Sequence, residues 1–154
     1  MSVSTASSAI DNLITLISAQ SACASVDAFT FGIRRGDPVH DWAVDDGIWI
    51  SQVSRQVQLK EMHGLTPGGM REDYTLMVNI SVFRGGDDVV GTDSRLWALI
   101  NAVETAVASN RNLNSSVSDA WPESAQINSS WEAADPAAGR LATATVGIHC
   151  WSFI

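Results

Sequence analysis

An acidic segment between residues 36 and 47, GDPVHDWAVDDG, contains the residue types that could bind a metal ion. Within ten positions it offers oxygen and nitrogen ligands from Asp37, His40, Asp41, Asp45 and Asp46. The spacing is not that of an EF-hand loop, and no distant His or Cys completes an obvious tetrahedral set. A solvated acidic loop is therefore the preferred interpretation. The alternative is a small metal-dependent hydrolase that uses residues 37–46.

Other patterns of catalytic residues are weak in this chain. Serines are abundant and three histidines are present, but no serine lies in a G-x-S-x-G elbow. His40 and His63 fall in predicted loops and His149 in a predicted strand, and none has a companion motif. The glycine-rich stretch HGLTPGGM lacks the G-K-[ST] of a phosphate-binding loop and precedes a strand instead of a helix. The preferred interpretation therefore assigns no catalytic residue, no metal and no cofactor.

Length, charge and cysteine content limit the class of protein. A chain of 154 residues, 45% of them apolar, is the size of one domain. We expect a flexible N-terminal arm over residues 1–7 and a single domain over residues 8–154. The net charge of −8 opposes binding to phosphate backbones, although DNA could pass an acidic wall without adhering. Cys23 and Cys150 lack metal-site spacing and are expected to be buried thiols. With no membrane span or leader expected, the sequence predicts a soluble protein made in a cytoplasm.

Two segments have the apolar spacing of helices. Ile10, Leu13, Ile14 and Ile17 form one stripe and predict a helix from residue 9 to 23, with Ser8 as its N-cap and Asp11 completing a capping arrangement. A second stripe includes Leu96 and Val107 and predicts a helix over residues 94–109, capped by Thr92 or Asp93. Trp97 neighbours this stripe and is expected in the core.

Alternating residues predict four or five strands. The cleanest alternation runs from Tyr74 to Val82. Before it, residues 48–62 change parity, which predicts a bulge near Ser51, and the open loop 63–70 follows. A short strand is expected at residues 29–33, and a closing hairpin at 121–131 and 142–153. This pattern predicts an α+β fold: an antiparallel sheet of four to five strands with two main helices packed on one face.

The second face of the predicted sheet is partly apolar. Met77 and Phe83 on the central strand, and Trp151 and Phe153 on the last strand, lie on the parity opposite the predicted core. Exposed apolar patches commonly contact a partner. The alternative is that a loop or the N-terminal arm covers them. Together with the loop they form the predicted interface set: His63, Gly64, Leu65, Thr66, Pro67, Gly68, Gly69, Met70, Met77, Phe83, Trp151 and Phe153.

The order of these elements resembles the tail terminator, or tail completion, family of long-tailed bacteriophages, which includes minor tail proteins that join head and tail. The residues that carry the resemblance are the loop and strand HGLTPGGMREDYTLMVNISVFRGGDD, the helix DSRLWALINAVETAVASN and the closing hairpin from Ala120 to Phe153. The acidic segment at 37–46 has no counterpart with a fixed role in that family.

The resemblance implies a structural role without a reaction or a cofactor. Subunits of the family form a ring, usually hexameric, at the head-proximal end of the tail tube. The ring ends polymerisation of the tube protein and offers a surface to the head-completion or connector protein, while DNA passes through the lumen without specific binding. The implied location is the tail or neck of the virion, after assembly in the host cytoplasm. A head-closure or neck protein is the sibling alternative, and sequence does not separate the two.

Overall fold

A computed structural model describes residues 4–24, 31–35, 46–59, 70–86, 88–128 and 139–154. These residues form two helices and five strands, which confirms the predicted α+β fold class. In chain order, the elements are α1 (Ala6–Ser18), a short 3₁₀ turn (Ser21–Cys23), β1 (Phe31–Arg35), β2 (Asp46–Leu59), β3 (Met70–Arg84), α2 (Val89–Ser109), β4 (Asp119–Asn128) and β5 (Arg140–Phe153).

The strands form one sheet in the order β1-β2-β3-β5-β4. Three neighbouring pairs are antiparallel, including the two predicted hairpins β2–β3 and β4–β5. The remaining pair, β1–β2, is parallel, so the sheet is mixed and the expectation of a wholly antiparallel sheet is corrected. Strand direction depends on the path of the connecting segment, which the parity of apolar residues does not encode.

The alternation predicted for the central strand is confirmed. In β3, every second side chain from Glu72 to Val82 is buried, and those between them are only partly buried. β5 repeats this pattern beside it, with the predicted residues from Ala142 to Cys150 buried. Because side chains alternate between the two faces of a sheet, the buried set defines one face, which both helices cover.

β2 contains the predicted bulge. Its pairing with β3 shifts between Ile50 and Gln52, so Ser51 is the extra residue. The side-chain nitrogen of Asn79 donates to Ser51 Oγ at 2.7 Å, and Asn79 Oδ1 accepts from Thr145 Oγ1 at 3.1 Å. This polar bridge therefore links the bulge in β2 to β3 and β5.

α1 begins and ends earlier than predicted. Of its expected stripe, Ile10, Leu13 and Ile17 are buried and Ile14 is partly buried. The helix starts at Ala6, with Thr5 as N-cap residue, and ends at Ser18. Ser8 does not cap it; instead, the Ala6 amide donates to Ser4 Oγ at 3.2 Å. Ser4 and Thr5, within the predicted arm, are held against the sheet.

α2 begins five residues before its predicted start. Asp88 is its N-cap, and the Asp88 carboxylate accepts from the Gly91 amide at 2.9 Å, whereas Thr92 and Asp93 lie inside the helix. A Cβ at residue 91 would lie 2.2 Å from the Asp88 carboxylate, so this cap requires glycine there.

Trp97 is 45% exposed, and its assignment to the core is wrong. Both cysteines are buried free thiols, as predicted. Burial raises the pKa of Cys23 to about 11 and that of Cys150 to about 12.

Glu72 fastens the start of the chain to β3. Its fully buried carboxylate accepts hydrogen bonds from Ser4 Oγ, from the Thr5 amide at 3.1 Å and from Arg55 Nε at 2.9 Å. Tyr74, on the same face, shares a 2.9 Å hydrogen bond with Thr5. Burial raises the pKa of Glu72, but these donors outweigh it and hold the pKa below its usual 4.5.

We predict that Glu72→Gln lowers the free energy of unfolding near neutral pH by about 2 kcal/mol, because the donors lose their charged acceptor. A depressed pKa stabilises the fold above pH 4.5 and loses that contribution as the pH falls through the folded-state value. The gap between variant and wild type should therefore close towards acidic pH. Urea unfolding followed by circular dichroism measures it. Glu104→Gln, on α2, is the control, and a gap that stays constant with pH would contradict this role.

Candidate functional site

The sheet face opposite the helices, here called the open face, carries the odd-numbered residues of β3 and β5. It includes Arg71 to Phe83 on β3 and Leu141 to Phe153 on β5, which lie side by side in the register of the two strands. Most of these side chains are partly buried, and three apolar ones, Phe83, Leu141 and Phe153, are exposed. These three lie at the two ends of the face.

At one end of the open face, where β3 begins and β5 ends, lies a group of aromatic side chains. Trp151 and Phe153 meet edge to face, with ring centroids 5.3 Å apart at 85°. The Arg71 guanidinium lies 4.5 Å from the centroid of Trp151 and makes two hydrogen bonds to the Asp73 carboxylate, at 2.7 and 2.8 Å. Trp151 is thereby fixed, while Phe153 remains 54% exposed.

At the other end of the open face, where β3 ends and β5 begins, Phe83 and Leu141 are direct neighbours on the two strands. Leu141 is 55% exposed. Gly139 lies against Phe83: a Cβ there would come 2.8 Å from the ring and 2.6 Å from the Arg84 carbonyl oxygen, and its φ is +104°. Only glycine fits this conformation easily, so the chain at residue 139 can lie close against the exposed phenylalanine.

Between the two ends, His149 lies among acidic and aromatic groups. Its ring stacks on Trp121 at a centroid distance of 4.6 Å. His149 Nε2 is 3.3 Å from Asp73 Oδ1, and Nδ1 is 3.8 Å from Glu123 Oε2. The hydrogen bonds from Arg71 lower the pKa of Asp73, with burial opposing them and His149 adding to them. The carboxylate of Asp73 is therefore held ionised beside the imidazole.

A shallow depression of about 180 Å³ opens at this cluster and is lined by Ser54, Gln56, Asp73, Tyr74, Thr75, Glu123 and His149. The hydroxyl of Thr75 donates to Glu123 at 3.3 Å. Within the described residues, neither Ser54 nor Thr75 makes a hydrogen bond to His149. A hydroxyl nucleophile needs a base within hydrogen-bond reach, so this arrangement does not form the usual activated pair.

Of the acidic segment, only Asp46 and Gly47 lie among the described residues. The buried Asp46 carboxylate accepts from Arg84 at 2.6 and 3.1 Å and from Arg95 at 2.7 Å. It therefore links β2, β3 and α2 as an ion pair instead of facing solvent in an acidic loop. The rest of the proposed metal site, Asp37, His40, Asp41 and Asp45, lies outside the described residues. Within the described ranges, no group of three His, Cys, Asp or Glu could hold a metal ion.

The predicted interface residues fall into three groups. His63 to Gly69 lie outside the described residues. Met70 is exposed at the start of β3, and its carbonyl accepts from the Ile154 amide at 3.0 Å. Met77, Phe83, Trp151 and Phe153 all lie on the open face, as their parity predicted, with the two phenylalanines exposed and the other two half-buried.

Sequence reasoning did not identify the cluster at the centre of the open face. Asp73 shares the parity of Met77, and His149 that of Trp151, so both could have been placed on this face. Trp121 could not, because a second register shift between Pro122 and Ser124 changes the parity of β4. Alternation in sequence therefore finds the residues of β3 and β5 but not their partners on β4.

Comparison with known proteins gives no match: no protein-family model and no curated protein matches the chain. Neither helix in the described parts of the chain is sufficiently long and apolar to cross a membrane.

We predict that Asp46→Asn costs about 3 kcal/mol of unfolding free energy, because two arginines lose the charge that a buried carboxylate provides. Asp11→Asn is the matched control. Asp11 pairs with Arg35 at 2.7 Å, but both side chains are largely exposed, so the change should cost under about 1 kcal/mol. Urea denaturation measures both. Equal losses would show that Asp46 does not hold the three elements together.

We predict that Leu141→Ser and Phe153→Ser each change the free energy of unfolding by less than about 1 kcal/mol, because both side chains are more than half exposed. Ile148→Ala, a fully buried position on the same strand, should cost about 3 kcal/mol. Chemical denaturation of the three variants tests this. Large losses at residues 141 and 153 would mean that these side chains serve the fold of the monomer and not a surface.

Proposed function

We propose that this chain is a structural subunit of a phage virion that assembles into a ring at the head-proximal end of the tail tube. As a tail terminator, the ring ends polymerisation of the tube protein and provides the surface to which the head connector joins. Six subunits, the usual number in the family that the sequence resembles, are proposed for the ring. The observation that carries the proposal is a sheet with helices on one face and exposed apolar side chains at both ends of the other.

The order of elements supports the proposal. A helix, a short strand, a long hairpin, a second helix and a closing hairpin follow one another along the chain. This is the order on which the resemblance to tail terminators rests. Fold alone does not determine function, so the remaining support must come from the exposed surfaces of the protein.

The open face supplies a surface suited to a partner. Phe83 and Leu141 at one end and Phe153 at the other are exposed. Apolar side chains that cluster on an otherwise polar surface commonly become buried in protein–protein contacts. Phe153 packs edge to face against Trp151, which Arg71 covers, so this exposed ring has a fixed neighbour within the subunit.

The charge of the chain is compatible with a wall around a DNA passage. A net charge of −8 on each subunit disfavours contact with the phosphate backbone. Around a lumen, that charge would let DNA pass without adhering to the ring. The same charge, however, makes subunits repel one another at low ionic strength, so assembly should strengthen as salt screens the repulsion.

We predict that the double variant Leu141→Ser/Phe153→Ser remains folded but loses assembly into a ring, or binding of the ring to tail tubes. The wild-type protein should reach the mass of a ring at high concentration or in the presence of tubes, as measured by light scattering after size exclusion. Loss of two exposed apolar anchors should weaken association at least about tenfold.

Val90→Ser is the matched control, because Val90 is 77% exposed but lies on α2, away from the open face. It should assemble like the wild type. A wild-type protein that stays monomeric at every concentration and binds neither tube nor connector would contradict the proposal. A ring that joins heads without controlling tube length would instead identify a head-closure protein.

A further inference from the structure

β2 has a neighbouring strand on its outer side along only part of its length. β1 pairs with it from Asp46 to Ile50, and β2 then continues to Leu59. Among the described residues, no strand lies beside this extension on the side away from β3. All side chains from residue 51 to 58 are exposed. The extension is therefore an edge strand whose backbone donors and acceptors on that side can pair with another strand.

Apart from the bulge at Ser51, this edge lacks the features that usually prevent pairing between edges. The sequence SQVSRQVQ, residues 51–58, has no proline and no lysine. Its one charge, Arg55, is bonded to the buried Glu72. Val53 and Val57 lie on the helix-bearing face, because they pair with Leu76 and Glu72. Both valines are exposed. An exposed edge of this kind can form backbone hydrogen bonds with a further strand.

β4 forms the opposite edge of the same sheet and pairs only with β5 among the described strands. Residues 123–126 and Asn128 are exposed, and Ile127 is half-buried. Glu123 is the only charge from residue 120 to 128 and is opposite in sign to Arg55, so like-charge repulsion does not oppose pairing of the two edges.

The two edges also match in the distribution of side chains. On β2, Ser54 and Gln56 lie on the open face; on β4, Ser124 and Gln126 do so, opposite Gly147 and Thr145. Ala125 and Ile127 lie on the helix-bearing face of β4, as Val53 and Val57 do on β2. A continuous sheet would thus join apolar to apolar on one face and polar to polar on the other.

The directions of the strands fit as well. From β2 through β3 and β5 to β4, each pair is antiparallel, so β2 and β4 run in opposite directions. Two subunits standing side by side in the same orientation therefore bring β2 of one against β4 of the next in antiparallel pairing, with backbone bonds perpendicular to the strands.

We infer that residues 51–58 of one subunit pair with residues 123–128 of a second copy of this chain, so that the sheet continues from subunit to subunit. This inference rests on the proposed function, in that it identifies one of the contacts between neighbouring subunits of the ring. Because the two edges are different surfaces, the contact is heterologous, and its repetition gives a ring when the rotation between subunits closes.

Cross-linking between single-cysteine variants tests the pairing. Gln56→Cys and Ser124→Cys place thiols on the open face of the two edges, and the buried native cysteines should not react. Mixed and treated with a short bismaleimide, the two variants should yield about tenfold more dimer than either alone. The double variant should give a ladder that ends at the size of the ring. Further single-cysteine variants test other registers of the same strand pair. The substituted residues are Ser54 and Gln58 on β2, and Gln126 and Asn128 on β4.

The outcomes separate this inference from the proposed function. Dimers formed by one variant alone, a ring that never cross-links through this set of pairs, or a protein that remains monomeric would overturn the edge pairing. A ring that forms without these cross-links and still caps tail tubes leaves the tail-terminator proposal standing. A cross-linked ring that binds no tube or connector supports the edge pairing and contradicts the terminator role.

Discussion

β3 lies at the centre of the sheet, and its side chains alternate between two different environments. On one side, Tyr74, Leu76, Val78, Ile80 and Val82 are buried beneath the helices. On the other, Arg71, Asp73, Met77 and Phe83 remain at the surface. Both helices contribute their apolar stripes to a single core. A sheet covered on one side must present its second face and its edges to solvent or to a partner, so the one-sided core determines which surfaces remain for assembly.

Two buried carboxylates hold elements that the core alone would leave loosely joined. Asp46 connects the start of β2 to the end of β3 and to α2, and Glu72 connects the first residues of the chain to the opposite end of the β2–β3 hairpin. Each carboxylate is satisfied by several donors, as burial of a charge requires. The hairpin is thus fastened at both ends, and its outer edge beyond Ile50 remains free of a strand among the described residues.

Local patterns in the sequence predicted the alternation in β3 and β5 and the bulge at Ser51, because parity reports which face a side chain occupies. Features that depend on distant partners were missed. The start of α2 depends on Asp88 and on the missing side chain of Gly91, and the parallel pairing of β1 depends on the path between strands. The burial of Asp46 requires Arg84 and Arg95, which are far away in sequence. In the candidate site, parity predicted that Phe83 and Phe153 lie on the open face. The contact of Trp121 with His149 could not be predicted, because it depends on the register shift in β4.

Electron microscopy of tails tests the proposed terminator role without an intermediate assay. Under the proposed function the gene belongs to a tailed phage, whose tails would be assembled with this gene intact or deleted and with the purified protein added back. A terminator role predicts tubes of uncontrolled length or without heads when the gene is absent. It also predicts a ring at the head-proximal end, and restored joining, when the protein is supplied. Tails of normal length that join heads in the absence of this protein would contradict that role.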